Sequence, residues 1–242
     1  LGGVHLVSFL VIIVNFFFLY IKRNKSTSEK RAWAATGAAI LALIIYGAAR
    51  MAGAPGEGPK VSIAMIQPSY SQEEKEDREA YGEFLRTHLS MTREAAEKHD
   101  SDMVIWSESV TYHGNLAGAG PLPYTMQMLD DLDTILVAGT YEFVDKRQYN
   151  NVVAVDPHEG VIGNYRKMQL VPFGEMFPFR KEIENISPAL GKWIRREVYE
   201  FDVAAGEKLE IFESRHGRFA ALVCFESVIP YLSRDAVLDG AE

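Results

Sequence analysis

The chain is 242 residues long and 48% hydrophobic, enough apolar material for one large domain together with membrane segments. Its formal charge of −8 is unevenly spread: up to Lys60 there are seven Lys/Arg against two Asp/Glu, and after it eighteen against thirty-one, so a basic head precedes an acidic body that is a poor partner for nucleic acid. The single cysteine excludes an internal disulfide.

Residues 4–21 contain no Asp, Glu, Lys or Arg, and residues 33–49 are rich in Ala, Gly and Ile. Each is about the length that crosses a hydrocarbon layer of ~30 Å, so residues 1–50 are expected to form two transmembrane helices. Five basic residues lie between them in residues 22–31. A short loop of that charge stays in the cytoplasm and sends the acidic domain to the opposite face. A signal peptide would carry its charge ahead of the apolar run, and here the charge follows. The opening Leu1, with no methionine before it, leads to the expectation of earlier sequence.

Residues 51–59, dense in Gly and Pro, read as a linker, and residues 60–242 as the folded domain. A strand is predicted at 61–66, then a helix over 72–99 whose apolar stripe is Tyr81, Phe84, Leu85, Leu89, Ala95 and Ala96. A strand at 103–106, a short helix at 126–132 and a strand at 135–143 follow. Strands at 152–155 and 161–165 flank the turn Asp156-Pro157-His158-Glu159-Gly160, and a second hairpin joins 209–212 to 219–224. The alternation predicts an α/β domain.

Three strand ends carry chemistry. Cys224 closes the run Phe219-Ala220-Ala221-Leu222-Val223, Glu108 follows Met103-Val104-Ile105-Trp106-Ser107, and Lys167 follows Tyr165-Arg166. A thiol is a nucleophile only as thiolate, so it needs a base and a cation near it. Read singly, each has a plainer role: a small core residue, a solvated carboxylate and a surface amine. The six histidines show no metal-ligand spacing, and no GxGxxG or P-loop is present, so neither metal nor cofactor is called for.

The order Glu, Lys, Cys resembles the nitrilase superfamily. Within it, residues 165–178 (YRKMQLVPFGEMFP), Trp106-Ser107-Glu108-Ser109 and Cys224-Phe225-Glu226 resemble segments of the bacterial apolipoprotein N-acyltransferases. The resemblance implies a four-layer α-β-β-α sandwich preceded by transmembrane helices, with Glu108, Lys167 and Cys224 catalytic and Glu175, Glu226, Tyr165 and Phe225 in support. Ser107 stands where that family has proline, Phe225 where it has tyrosine, and residues 69–75 lack the tryptophan it carries after the first strand.

The implied reaction moves an acyl chain from a membrane phospholipid onto Cys224 as a thioester, then to the N-terminal amine of a lipid-modified cysteine in an apolipoprotein. The implied place is the bacterial inner membrane, with the catalytic domain on the periplasmic side. Residues 176–199 interleave aromatic and basic side chains, which fits either a bilayer surface or a packed amphipathic helix. A membrane-tethered nitrilase-type amidase passing the acyl group to water, and an inactive relative, stay open as rivals. Because the family continues past its nucleophile with further strands and Cys224 lies close to Glu242, the domain is expected to be C-terminally incomplete.

Overall fold

The computed structural model describes residues 3–21, 26–53, 58–71, 74, 79, 81–110, 125, 127, 129–145, 147–194 and 203–242. They form two compact units, Leu1–Lys60 and Val61–Glu242.

The first unit holds helices α1 (Gly3–Ile21) and α2 (Thr27–Ala52). Among the described residues, one stretch is long and apolar enough to cross a membrane, Trp33–Ala52 with a mean hydropathy of 1.6; His5–Phe16 is a shorter apolar helix stretch. Asn15 in α1 donates its amide to Val11 O at 2.8 Å, so its polar group is satisfied within its own helix. The expected basic loop is shorter than the sequence suggested, because Lys30 and Arg31 already belong to α2. Residues 22–25 lie outside the described set.

The second unit is built on a five-stranded mixed sheet of order β1-β2-β3-β4-β5: β1 (Ile63–Ile66), β2 (Met103–Trp106), β3 (Ile135–Val144), β4 (Arg147–Asp156) and β5 (Gly160–Arg166). The first three are parallel, β1 and β2 being joined through helix α3 (Tyr81–His99), and the last two are antiparallel hairpin partners. The turn into β5 is the expected one. Asp156 Oδ1 accepts from His158 N at 2.8 Å and Glu159 N at 3.3 Å, and Gly160 takes φ 82°, which glycine adopts without strain.

Because successive residues of a strand point to opposite faces, β3 and β4 divide their apolar side chains between two cores. On one face Leu136, Ala138, Val153 and Val155 pack with Val104, Trp106 and the α3 stripe Phe84, Leu85 and Leu89. Each Val, Leu or Phe among them contributes roughly 1.5–3 kcal/mol when fully buried. Trp106 Nε1 donates to Thr92 Oγ1 at 2.8 Å, so even this face satisfies its buried donor. On the other face Met103, Ile135, Val137, Val152, Ala154 and Tyr165 meet Phe212 and Val223. Those two come from the segment holding the hairpin β6 (Phe212–Ser214) and β7 (Gly217–Phe219).

The structure departs from expectation in two places, and two of the predicted helices fall partly outside what it describes. Helix α3 begins at Tyr81, and most of 72–80 lies outside the described residues, as do positions 126 and 128 of the short helix predicted at 126–132. The second hairpin is narrower than 209–224, and residues 220–223 pair with no strand among the described residues. The amphipathic stretch after Met176 is two short helices, α4 (Arg180–Ile186) and α5 (Pro188–Trp193). Ser187 ends the first and caps the second, accepting from Leu190 N at 3.4 Å, and Pro188 sits at the first helical position, where a missing N–H costs nothing. The chain closes with a short 3-10 helix at Cys224–Val228 and helix α6 (Pro230–Leu238).

Candidate active site

Glu108 is delivered by a turn that leaves β2 and lies directly on β3. Ser109 takes φ 60°, and Val110 N donates to Gly139 O at 3.0 Å. A Cβ on Gly139 would come within 2.8 Å of Glu108 Cα and of Ser107 O, so only glycine lets the turn settle there.

Cys224 sits at φ 50°, a left-handed conformation rarely taken by a non-glycine residue and characteristic of sites where backbone strain serves function. It opens the 3-10 helix, its carbonyl accepts from Ser227 Oγ at 2.8 Å, and the residue is exposed. Its thiol lies within electrostatic reach of both Glu108 and Lys167. Burial of the sulfur and then the negative charge of Glu108 push the thiol up, Lys167 pulls it down, and the net direction is up from its ordinary value. The arrangement therefore holds a thiol against a carboxylate rather than a stored thiolate.

Lys167 lies one residue beyond β5 and continues its pairing. Its N–H donates to Asn150 O at 2.8 Å and its carbonyl accepts from Gly206 N at 2.7 Å. The side chain is only 1% exposed, and a buried ammonium is costly unless paired. Nζ lies 2.7 Å from Glu175 Oε1 and 3.8 Å from Glu108 Oε1. Glu175 is itself held by the tight turn over 171–176, in which its N–H donates to Val171 O at 2.8 Å and its Oε2 accepts from Val171 N at 2.9 Å.

Glu226 is completely buried and accepts four hydrogen bonds: Tyr165 OH at 2.8 Å, Met168 N at 2.8 Å and Gln169 N at 2.9 Å on Oε1, and Val223 N at 2.9 Å on Oε2. One carboxylate thus ties the residue before Cys224 to the segment that follows Lys167. Burial, reinforced by Glu226, pushes the Tyr165 phenol up, so it stays a donor. Phe225 is half exposed and offers no hydrogen bond at the position after the thiol.

Glu108, Lys167, Cys224 and Glu175 are therefore brought together, with Glu226 and Tyr165 beneath them. The sequence reading missed Asn150. Its Nδ2 donates to Glu108 Oε1 at 2.8 Å and to Glu175 Oε1 at 3.1 Å, from a side chain in a residue 1% exposed. Beside this cluster, Glu108 and Cys224 line a cavity of about 280 Å³ whose remaining wall is largely apolar, including Met103, Ile105, Val137 and Val152. Among the described residues no group of three His, Cys, Asp or Glu could hold a metal ion.

Residues 50–242 match the carbon-nitrogen hydrolase family profile. The chain belongs to that family. As a carbon-nitrogen hydrolase family member it is similar to apolipoprotein N-acyltransferases of Rickettsia prowazekii, 26% identical over 96% of this chain and 46% of that protein, and of Aquifex aeolicus, 29% identical over 95% and 48%. The chain spans about half the length of the curated relatives it matches. Among solved structures, a carbon-nitrogen hydrolase from Helicobacter pylori superposes with a TM-score of 0.52 at 16% identity, covering 75% of this chain and 57% of the other. The Saccharomyces cerevisiae Nit3 protein, of the nitrilase superfamily, gives 0.53 at 17% identity, covering 76% and 65%. These identities speak to the fold, which is the nitrilase-like α/β fold with a mixed sheet.

Proposed function

We propose that this chain carries the acyl-transfer site of an apolipoprotein N-acyltransferase, taking an acyl chain from a membrane phospholipid and passing it to the N-terminal amine of a lipid-modified cysteine. The observation that carries the reading is the Cys224 thiol on a left-handed elbow, lining one cavity with Glu108, whose carboxylate lies 3.8 Å from Lys167 Nζ. The relatives named for this activity supply the substrate class.

In the first step Glu108 accepts the thiol proton as sulfur attacks the ester carbonyl, and Lys167 donates to the oxygen on which negative charge develops. The tetrahedral adduct collapses to a thioester, and the proton on Glu108 leaves with the departing alcohol. In the second step the amine attacks the thioester, Glu108 takes its proton and returns it to sulfur, and the amide is released. Because the thiol is held above its ordinary value, deprotonation is coupled to attack, and reactivity toward a simple alkylating agent rises with pH through a midpoint above that of a free cysteine.

The membrane setting belongs to the same proposal. Residues 1–50 anchor the chain in a bacterial inner membrane with the basic stretch at 22–31 inside and the second unit on the periplasmic side. Phe179 and Ile186 on and beside α4 are 74% and 86% exposed, with Arg180 and Lys181 adjacent, as suits a segment that meets lipid.

The test uses the full chain in lipid vesicles with phospholipid bearing an isotope-labelled acyl chain. Intact-mass and peptide mass spectrometry should find a hydroxylamine-labile acyl group on Cys224, none on Cys224→Ala, and transfer to a lipopeptide amine added afterwards. Release of free fatty acid or hydrolysis of simple amides, with no transfer to the lipopeptide, would overturn the acyltransferase reading in favour of an amidase.

A further inference from the structure

Two carboxylates and one lysine share this site, and nothing in their own chemistry says which carboxylate should act as base. Glu108 Oε1 and Glu175 Oε1 both lie within hydrogen-bond reach of a single nitrogen, Asn150 Nδ2, at 2.8 and 3.1 Å. Two carboxylates held that close repel, so something must fix where each one points. Lys167 cannot serve both equally, since it lies 2.7 Å from Glu175 and 3.8 Å from Glu108. The amide has two hydrogens and can give one to each oxygen while adding no charge. Asn150 is also fixed in place, for it sits inside β4, 1% exposed, and its carbonyl accepts from Lys167 N at 2.8 Å.

We propose that Asn150 is a positioning residue that divides labour between the two glutamates: by donating to both at once it fixes where each carboxylate sits, leaves Glu175 to the lysine and holds Glu108 where it can take the thiol proton. The proposal rests on the reading of Cys224 as nucleophile and Glu108 as base, and on neither the acyl donor nor the acceptor. The residue acts through its neighbours and touches no reacting atom. Without its two hydrogens, the two carboxylates repel and Glu108 swings away from the thiol, while Glu175 keeps its lysine.

The experiment measures the rate of Cys224 alkylation by iodoacetamide against pH in the full chain in detergent micelles, where the only cysteine gives an unambiguous mass shift. Asn150→Leu removes both donors at similar volume and adds no charge. With Glu108 swung away, the negative charge that pushes the sulfur up is lost, so the alkylation midpoint should move downward, giving about threefold or more faster alkylation near neutral pH. In a Glu175→Gln background, where Glu108 meets no like charge, the same substitution should change the rate by less than about twofold, because contacting residues are non-additive. Should Asn150→Leu fail to fold, Asn150→Ser, whose hydroxyl serves only one carboxylate, carries the same test with a downward shift of the midpoint. An alkylation profile that overlays the wild type, or a shift of equal size in both backgrounds, would overturn the proposal and leave Asn150 a structural residue. Since alkylation needs no acyl donor or acceptor, failure of acyl transfer would be read separately.

Discussion

On the α3 side of the five-stranded sheet, Leu136, Ala138, Val153 and Val155 bury only hydrocarbon, while on the other face of the same strands and their β5 neighbour Asn150, Tyr165 and Lys167 bury an amide, a phenol and an ammonium. At those four positions the problem is packing: a side chain of suitable volume fills the site, and energy is lost in proportion to the space left empty. The second face is a pairing problem. Lys167 answers to Glu175, Tyr165 to Glu226 and Asn150 to both Glu108 and Glu175, so a swap that conserves volume there still strands a partner. Burial alone therefore does not say how tolerant a position is; the kind of atom buried does.

The comparison breaks most sharply at Lys167. Lys167→Met keeps length and volume but leaves Glu175 with no cation, and should cost about 3–5 kcal/mol in denaturant unfolding together with loss of the acyl-enzyme. A stable Lys167→Met protein that still acylates would show that the pairing face is no more demanding than the packing face. Leu136→Ala on the α3 side should cost about 2–5 kcal/mol yet leave the pH midpoint of Cys224 alkylation where it was, so that stability and chemistry separate. A shifted midpoint would mean the faces are coupled. Glu226→Gln points an amide at four donors that need acceptors, and should cost about 1–3 kcal/mol and slow alkylation, read by the same two measurements. Phe225→Tyr is the smallest change. Its ring is half exposed, so unfolding should shift by no more than about 0.5 kcal/mol, and a larger loss would reveal packing that the exposure does not suggest.

Much of the second face was legible because its residues sit in compact local patterns. The stretch 165–178 encloses Lys167 and Glu175 within one turn and strand end, and Cys224-Phe225-Glu226 encloses the thiol and the clamp carboxylate. Asn150 was not legible, because its role arises from register. It lies in Arg147–Asp156, an ordinary strand sequence, and becomes part of the site only when Lys167 N pairs with its carbonyl across the hairpin. The split of the amphipathic stretch after Met176 was readable in Ser187-Pro188, a cap followed by a first-turn proline, but the interleaved aromatic and basic pattern drew the eye past it. The run 219–224 misled in another way: apolar content predicts burial, and burial does not require a ladder partner. Lys167 does pull the Cys224 thiol down, as a nearby cation should, but burial and Glu108 outweigh it and the net direction is up.

Gly139 has a consequence for how this protein can be improved. Its strand is central and β-branched residues are the usual stabilising choice at such a position, so a designer seeking a stiffer sheet would replace it first. The space a methyl group would need is already occupied by the backbone that presents Glu108. Any side chain there must push that backbone aside, so the usual stiffening substitution would weaken the sheet and shift Glu108 together, and a screen for heat tolerance would keep this glycine without ever assaying the chemistry.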